Sequence, residues 1–334
     1  VEKVRVHTRA SAADADAGWS EVVPATPQRV NLLDLTNGAV ADLGRATLPP
    51  GKYQQLRLML AVNGAANPLA NSVVSNGAAE TALSVTSADQ TGIKVALDLD
   101  VAAGKTADLV LDFDACKSVV RRGNTGHFDL KPTVAATNVS SGIGTVIGYV
   151  DKALGVDTTV VSIQADGVQV KATLPDESGR FVLYPVPAGT YDLVVAPARH
   201  VTMLMGGVPV VEAATTAVNS RALPFASPLS TVRTVNGTLG DASGTVRATQ
   251  TYGGGPRIEV AWGAVDSSSG AFTFALPVDA PWRTLYAADP VALGFVPDAA
   301  IAGTYTLEAV TAGGAKSSPI NVLLPGPPIT LVIP

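Results

Sequence analysis

Short runs of alternating apolar and polar residues, each closed by Gly, Pro, Asn or Asp at intervals of roughly ten residues, fill most of this chain. Alternation of period two buries one face of a strand and leaves the other to solvent. Helical periodicity is nearly absent; residues 11–18 hold its one weak instance and read equally well as a polar loop. The pattern predicts an all-β protein built as tandem β-sandwiches with little or no helix. At 334 residues the chain exceeds one ordinary hydrophobic core, so several sandwiches are expected.

Within this rhythm one phrase recurs. Gly51-Lys-Tyr53, Gly189-Thr-Tyr191 and Gly303-Thr-Tyr305 each precede an alternating strand. The expectation is a turn glycine with positive φ, followed by a tyrosine whose hydroxyl reaches a nearby backbone group at a corner between strands. In the strand after Tyr53, Leu56, Leu58 and Leu60 line one face and Arg57 points away from it.

Three units follow. The first covers 1–139, with strands expected near 1–8, 28–34, 52–62, 92–99, 107–113 and 130–137; Ser140-Ser-Gly-Ile-Gly144 reads as a linker. The second covers 145–225 and the third 230–334. Gly148, Gly179 and Tyr191 in the second answer to Gly237, Gly270 and Tyr305 in the third, which carries an insertion at about 280–300. Two diverged copies of one module explain this best.

Residues 145–220, through Gly148-x-Val150, Asp176-x-x-Gly179-x-Phe181 and Pro187-Ala-Gly-Thr-Tyr191, resemble the carboxypeptidase regulatory-like, transthyretin-like β-sandwich, and 230–334 resemble a weaker copy. The resemblance implies a passive spacer or adhesive domain and says little about chemistry. Residues 1–137 resemble the bacterial domain of unknown function DUF4382. The resemblance rests on Val4-x-Val6-His7, Trp19, Asn31-Leu-Leu-Asp34-Leu-x-Asn37-Gly38, Leu48-Pro-Pro-Gly51-x-Tyr53-x-Gln55-x-Arg57-Leu58, Asp112-Phe-Asp114-x-x-Lys117-Ser118 and Leu130-Lys-Pro132. It implies an exported bacterial lipoprotein, at the cell surface or outside the cell. The family's usual first strand would precede Val1, which implies an unfilled strand position in the first sandwich beside Val4 and Val6. It also implies a partner outside this chain for Cys116, the chain's single cysteine.

Charged residues make up only 15% of the chain and the net charge is −5, which argues against nucleic acid as a partner. No apolar run is long enough for a transmembrane segment. The chain opens directly on a strand pattern, as a mature or truncated product would. Asp98, Asp100, Asp112 and Asp114 form a weak calcium candidate; the reading favoured over it is an acidic strand surface neutralised by Lys94, Lys117 or Lys131. His7, His127 and His200 lack zinc-ligand spacing and read as surface or strand-end residues. Cys116, beside Lys117, reads as structural or disulfide-forming before it reads as a nucleophile. Gly253-Gly-Gly255-Pro256 is a turn without the Lys-Ser/Thr of a phosphate loop. No catalytic constellation and no cofactor are expected.

Two features speak of partners. Trp282 lies in the insertion of the third unit, where an exposed aromatic loop would form a binding patch. The uncharged end of the chain holds Ile329, Leu331, Val332 and Ile333, apolar on nearly both faces. Such a strand completes its own domain by default; the alternative is donation into a neighbouring subunit. The expected function is accordingly a structural subunit of a bacterial extracellular or cell-surface assembly, a homo-oligomer or filament joined by strand donation. Its alternative is a monomeric surface-anchored adhesin that binds a glycan or a protein.

Overall fold

The computed structural model describes residues 1–24, 26–75, 77–85, 91–289, 292–323 and 329–332; for Cys116, Ala264 and residues 329–331 only the backbone is described. The fold is all-β, with no helix of 7 residues or more among the described residues. The chain divides into two compact units: Val1–Leu35 with Ala39–Ser141, and Thr36–Gly38 with Gly142–Pro334.

The first unit holds β1 (Lys3–His7), β2 (Ser20–Val22), β3 (Gly51–Met59), β4 (Ser72–Val73), β5 (Thr81–Ser84), β6 (Ile93–Val101) and β7 (Leu109–Phe113). The short helix α1 (Ala115–Ser118), β8 (Val119–Arg121), β9 (Phe128–Leu130) and β10 (Val134–Asn138) complete it. Its main sheet runs β2-β1-β3-β6, with smaller sheets β4-β5-β9-β8 and β10-β7. Val4, Val6, Leu56, Leu58, Ile93 and Val95 alternate onto the inner face and fill the core with Tyr53 and Leu83. The strand expected at 28–34 does not form. Asn31 instead accepts a hydrogen bond from the Leu33 amide and caps a 3-10 turn over Leu32–Asp34, a local bond that competes with a sheet ladder.

The second unit opens with β11 (Ile143–Tyr149), β12 (Thr159–Ala165), β13 (Val168–Thr173), β14 (Arg180–Pro187), β15 (Gly189–Pro197), β16 (Met203–Val210) and β17 (Thr215–Ala217). It continues with β18 (Val232–Leu239), β19 (Thr245–Thr251), β20 (Arg257–Ala264), β21 (Ala271–Pro277), β22 (Trp282–Leu285), β23 (Val296–Pro297), β24 (Thr304–Thr311), β25 (Gly314–Asn321) and β26 (Ile329–Leu331). The earlier strands pair as β14-β11-β17 and β13-β12-β15-β16, the later ones as β21-β18-β26 and β20-β19-β24-β25. The two orders coincide strand for strand, down to the parallel closures of β17 on β11 and β26 on β18. Each set surrounds its own core, centred on Phe181, Leu183 and Leu193 in one and on Phe272, Phe274 and Leu307 in the other.

The insertion of the later set is not a loop. Its β22 leaves that set and pairs in parallel with β16, Met203 opposite Trp282 through Gly206 opposite Leu285, and β23 pairs beyond it. One six-stranded sheet, β13-β12-β15-β16-β22-β23, is thereby assembled from both sets.

The recurrent tyrosine does the same thing three times. Tyr53 Oη donates to Pro49 O at 3.0 Å, Tyr191 Oη to Pro187 O at 3.0 Å and Tyr305 Oη to Pro277 O at 2.7 Å. Pro187 ends β14 and Pro277 ends β21, so the corner bond survives the whole β22–β23 excursion inserted between Pro277 and Tyr305. The glycines are less uniform than expected. Gly303 has φ +62°, whereas Gly189 is not in the left-handed region; there a Cβ would press on the Tyr191 ring. Tyr305→Phe should destabilise the second unit by about 1–2 kcal/mol, because the hydroxyl and its acceptor are buried. Tyr191→Phe, whose bond is exposed, should stay within about 0.5 kcal/mol. Urea unfolding of the two variants tests the order.

Candidate functional site

The outer face of the main sheet in the first unit should be wet, yet where β1 and β3 meet it is buried. On the β1–β3 ladder Arg5 faces Arg57 and His7 faces Gln55, opposite in sense to the core residues Val4, Val6, Leu56 and Leu58. The segment between β1 and β2 lies over these polar groups. Arg57 is only 1% exposed, so the side chain expected to point into solvent does point away from the core but is covered. Its guanidinium donates to Ala12 O at 2.6 Å, Thr91 O at 3.0 Å and Asp14 Oδ1 at 3.3 Å. Asp14 also pairs with Arg5, which meets Glu21 at 3.0 Å. Both guanidinium carbons sit over the Trp19 ring, at 4.6 Å for Arg5 and 4.8 Å for Arg57. Cation–π contacts of desolvated arginines of this kind contribute about 1–2 kcal/mol each.

His7, 3% exposed, closes the cluster and packs edge-on to Trp19 at 5.0 Å. Its Nδ1 accepts from the Arg9 amide at 2.9 Å and its Nε2 donates to Ala17 O at 3.0 Å, the pattern of the Nε2–H tautomer. It is a strand-end histidine, as expected, but a buried one. Trp19 Nε1 donates to Ala13 O at 3.0 Å. Arg57 Nε and Gln55 Oε1 are buried with no hydrogen-bond partner. His7, Trp19, Gln55 and Arg57 are scattered along the family signature; the structure brings all four together.

The second unit has its own polar centre, between its two strand sets. Gln164 on β12 sends its side-chain amide to the backbone of Glu259 on β20: Oε1 accepts from the Glu259 amide at 2.8 Å and Nε2 donates to Glu259 O at 2.9 Å. One side chain thus stands in for a neighbouring strand. Arg247 bridges Glu308 at 2.6 Å and Glu259 at 3.6 Å and also donates to Gly167 O at 2.9 Å. Val194, Leu204, Tyr252 and Ile258 form a separate apolar cluster beside it. Burial raises the Tyr252 phenol well above its ordinary range, so it remains a donor, and it bonds Trp282 O at 3.4 Å.

Two acidic turns repeat between the sets. Asp176 accepts from Ser178 and the Arg180 amide, and Asp266 accepts from Ser268 and Ser269. Desolvation works against each charge, but these donors outweigh it and hold both carboxyls below their usual range. They are turn-forming groups.

The remaining candidates are dispersed. Asp98 and Asp100 lie on the outer face of β6, where Asp98 pairs with Lys52 at 2.8 Å; Lys52, and not Lys94, is the neutralising partner. Asp112 lies on β7, and Asp114 caps α1 by accepting from the Lys117 amide at 3.0 Å. Among the described residues no group of three or more His, Cys, Asp or Glu is placed to hold a metal. Cys116 lies in α1, and its side chain falls outside the described residues. Val4 and Val6 are core residues of an interior strand, between β2 and β3. Trp282 is not in an exposed loop: it is half-buried in β22, packs on the core of the earlier strand set and stacks on Phe295 at 6.5 Å. Ile329 and Leu331 lie in β26, paired in their own unit opposite Gly237 and Leu239. Val332 is exposed, and Ile333 lies outside the described residues. No helix among the described residues is long and apolar enough to cross a membrane.

Residues 1–132 match the family model described as "Domain of unknown function (DUF4382)". No curated protein matches the chain. Among solved structures, the chain is similar to an N-terminal interface mutant of a type II cohesin–X-dockerin complex from Acetivibrio cellulolyticus, at 23% identity and TM-score 0.23. That match covers 26% of this chain and 59% of the other. A C-terminal interface mutant of the same complex matches over the same shares at 22% identity and TM-score 0.22. Two B repeat units of the collagen binding protein of Staphylococcus aureus match at 11% identity and TM-score 0.16, over 68% of this chain and 54% of theirs. The chain spans less than two thirds of each of these structures. Likeness of this degree carries no argument about what the chain binds.

Proposed function

We propose that the chain is a non-catalytic structural module of an exported bacterial surface protein, built of three sandwiches, in which the second unit serves as a rigid stalk. The six-stranded sheet shared by both strand sets carries this reading. Two tandem domains joined only by a linker swing relative to each other. Here a parallel ladder, a side-chain amide bridging two backbones, an arginine–carboxylate network and an apolar cluster all cross the junction. The resemblance of residues 1–137 to a family of exported lipoproteins supports the surface location.

The pairing of β26 in its own unit and the interior position of β1 favour a monomer with closed domains over a filament joined by strand donation. Sedimentation of the purified chain should show one concentration-independent monomer. A chain ending after residue 328 should give the same species. Polymers in the intact chain that vanish in the shortened one would overturn the monomer and establish strand exchange.

A further inference from the structure

The polar cluster of the first unit is independent of the stalk reading, and its geometry points to a second role. We infer that the outer face of β1 and β3, carrying Arg5, Gln55 and Arg57 with Trp19, is a binding site for an acidic peptide, and that the chain's own 10–18 segment covers it as an internal stand-in. The segment is Ala-Ser-Ala-Ala-Asp-Ala-Asp-Ala-Gly, with two carboxylates and no cation. The face beneath presents the guanidinium groups of Arg5 and Arg57.

What the face grips is peptide chemistry. Arg57 takes a backbone carbonyl from Ala12 and a carboxylate oxygen from Asp14, two residues on; Arg5 takes the same carboxylate. His7 takes a further carbonyl, from Ala17, and Trp19 takes that of Ala13. The segment is a run of turns, with the Asp16 amide donating to Ala13 O at 3.3 Å, and a peptide that takes the same turn with an acidic residue two positions after a free carbonyl offers the same set.

The cover is held by these polar contacts and by little else. Ala12 is its one buried residue. A segment that buries so little apolar surface opens locally at far lower cost than the ladder below it. The cover also satisfies the face incompletely, because Arg57 Nε and Gln55 Oε1 are buried without partners. A natural core leaves few such atoms, because each gives up its bonds to water and gets none in return. A peptide that reaches them competes with the cover on better terms.

The test uses the full chain and a fluorescein-labelled peptide of the sequence of residues 10–18. Replacing residues 10–17 by Gly and Ser at equal length removes the competitor, so the apparent affinity should rise at least about ten-fold over the unaltered chain. The same peptide with both Asp changed to Asn should not bind. A folded replacement variant that ignores the acidic peptide, or takes the Asn peptide equally well, overturns the proposal. Hydrogen exchange on the unaltered chain decides independently of whether the variant folds. Amides of residues 10–18 should exchange far faster than those of β3, and equal protection of the two would show that the cover never opens.

Discussion

Gly270→Ala should be among the most damaging small substitutions in the second unit, lowering its stability by about 3 kcal/mol or more. Gly270 has φ +67°, a conformation that costs an alanine about 1–2 kcal/mol on its own. Space is the larger problem. A Cβ there would run into the carbonyl oxygen of Leu239, well inside van der Waals contact, and a backbone atom cannot step aside as a side chain can. The approach is close because Gly270 O accepts from the Leu239 amide at 2.8 Å, stitching the turn to β18. Gly179 is the same device in the earlier set: φ +83°, its carbonyl accepting from the Val150 amide at 2.8 Å, and its absent Cβ facing Val150 O. Gly179→Ala should therefore match Gly270→Ala. Gly254 supplies the control, with φ +64° and nothing within 4 Å of a Cβ. Gly254→Ala should cost only about 1–2 kcal/mol. Equal denaturation midpoints for Gly270→Ala and Gly254→Ala would show that the close approach is immaterial.

Gln164→Met keeps the volume of the buried side chain and removes both of its bonds to Glu259. Two buried backbone groups lose this amide at once, and the expected loss is about 2–4 kcal/mol in the second unit. Ser162 Oγ, which accepts from Gln164 Nε2 at 2.9 Å, loses a donor as well. The first unit, which holds none of these groups, should unfold as before. A change within about 0.5 kcal/mol would mean that water replaces the amide and that the junction is not tied there.

The tyrosine corner was legible in the sequence, because it is local: turn, strand and hydrogen-bond acceptor lie within one module and recur with it, whereas Gly179 and Gly270 were legible only as shared turn positions, their close approach to a distant strand leaving no local signal. The shared landmarks were legible for the same reason: Gly148, Gly179 and Tyr191 hold the same places in the topology as Gly237, Gly270 and Tyr305. The destination of β22 was not. Nothing in Trp282–Leu285 records that its partner is Met203–Gly206, because strand pairing between distant segments leaves no periodicity. The polar cluster was hidden by a sound rule. Alternation sends Arg57 away from Leu56 and Leu58, and no pattern in the sequence announces that a segment of Ala and Asp will fold over it.

The lent strand has a consequence for how such a chain is made and how it changes over generations. On the ribosome, β16 emerges long before the segment that will lie against it, so its rim stays bare until residues 282–285 arrive. A gene for this protein likewise cannot gain or lose one of the two later sandwiches by simple recombination. Excising the last would strip a strand from its predecessor, and grafting the earlier one elsewhere would leave a raw border for other chains to find. The two strand sets are inherited as one piece.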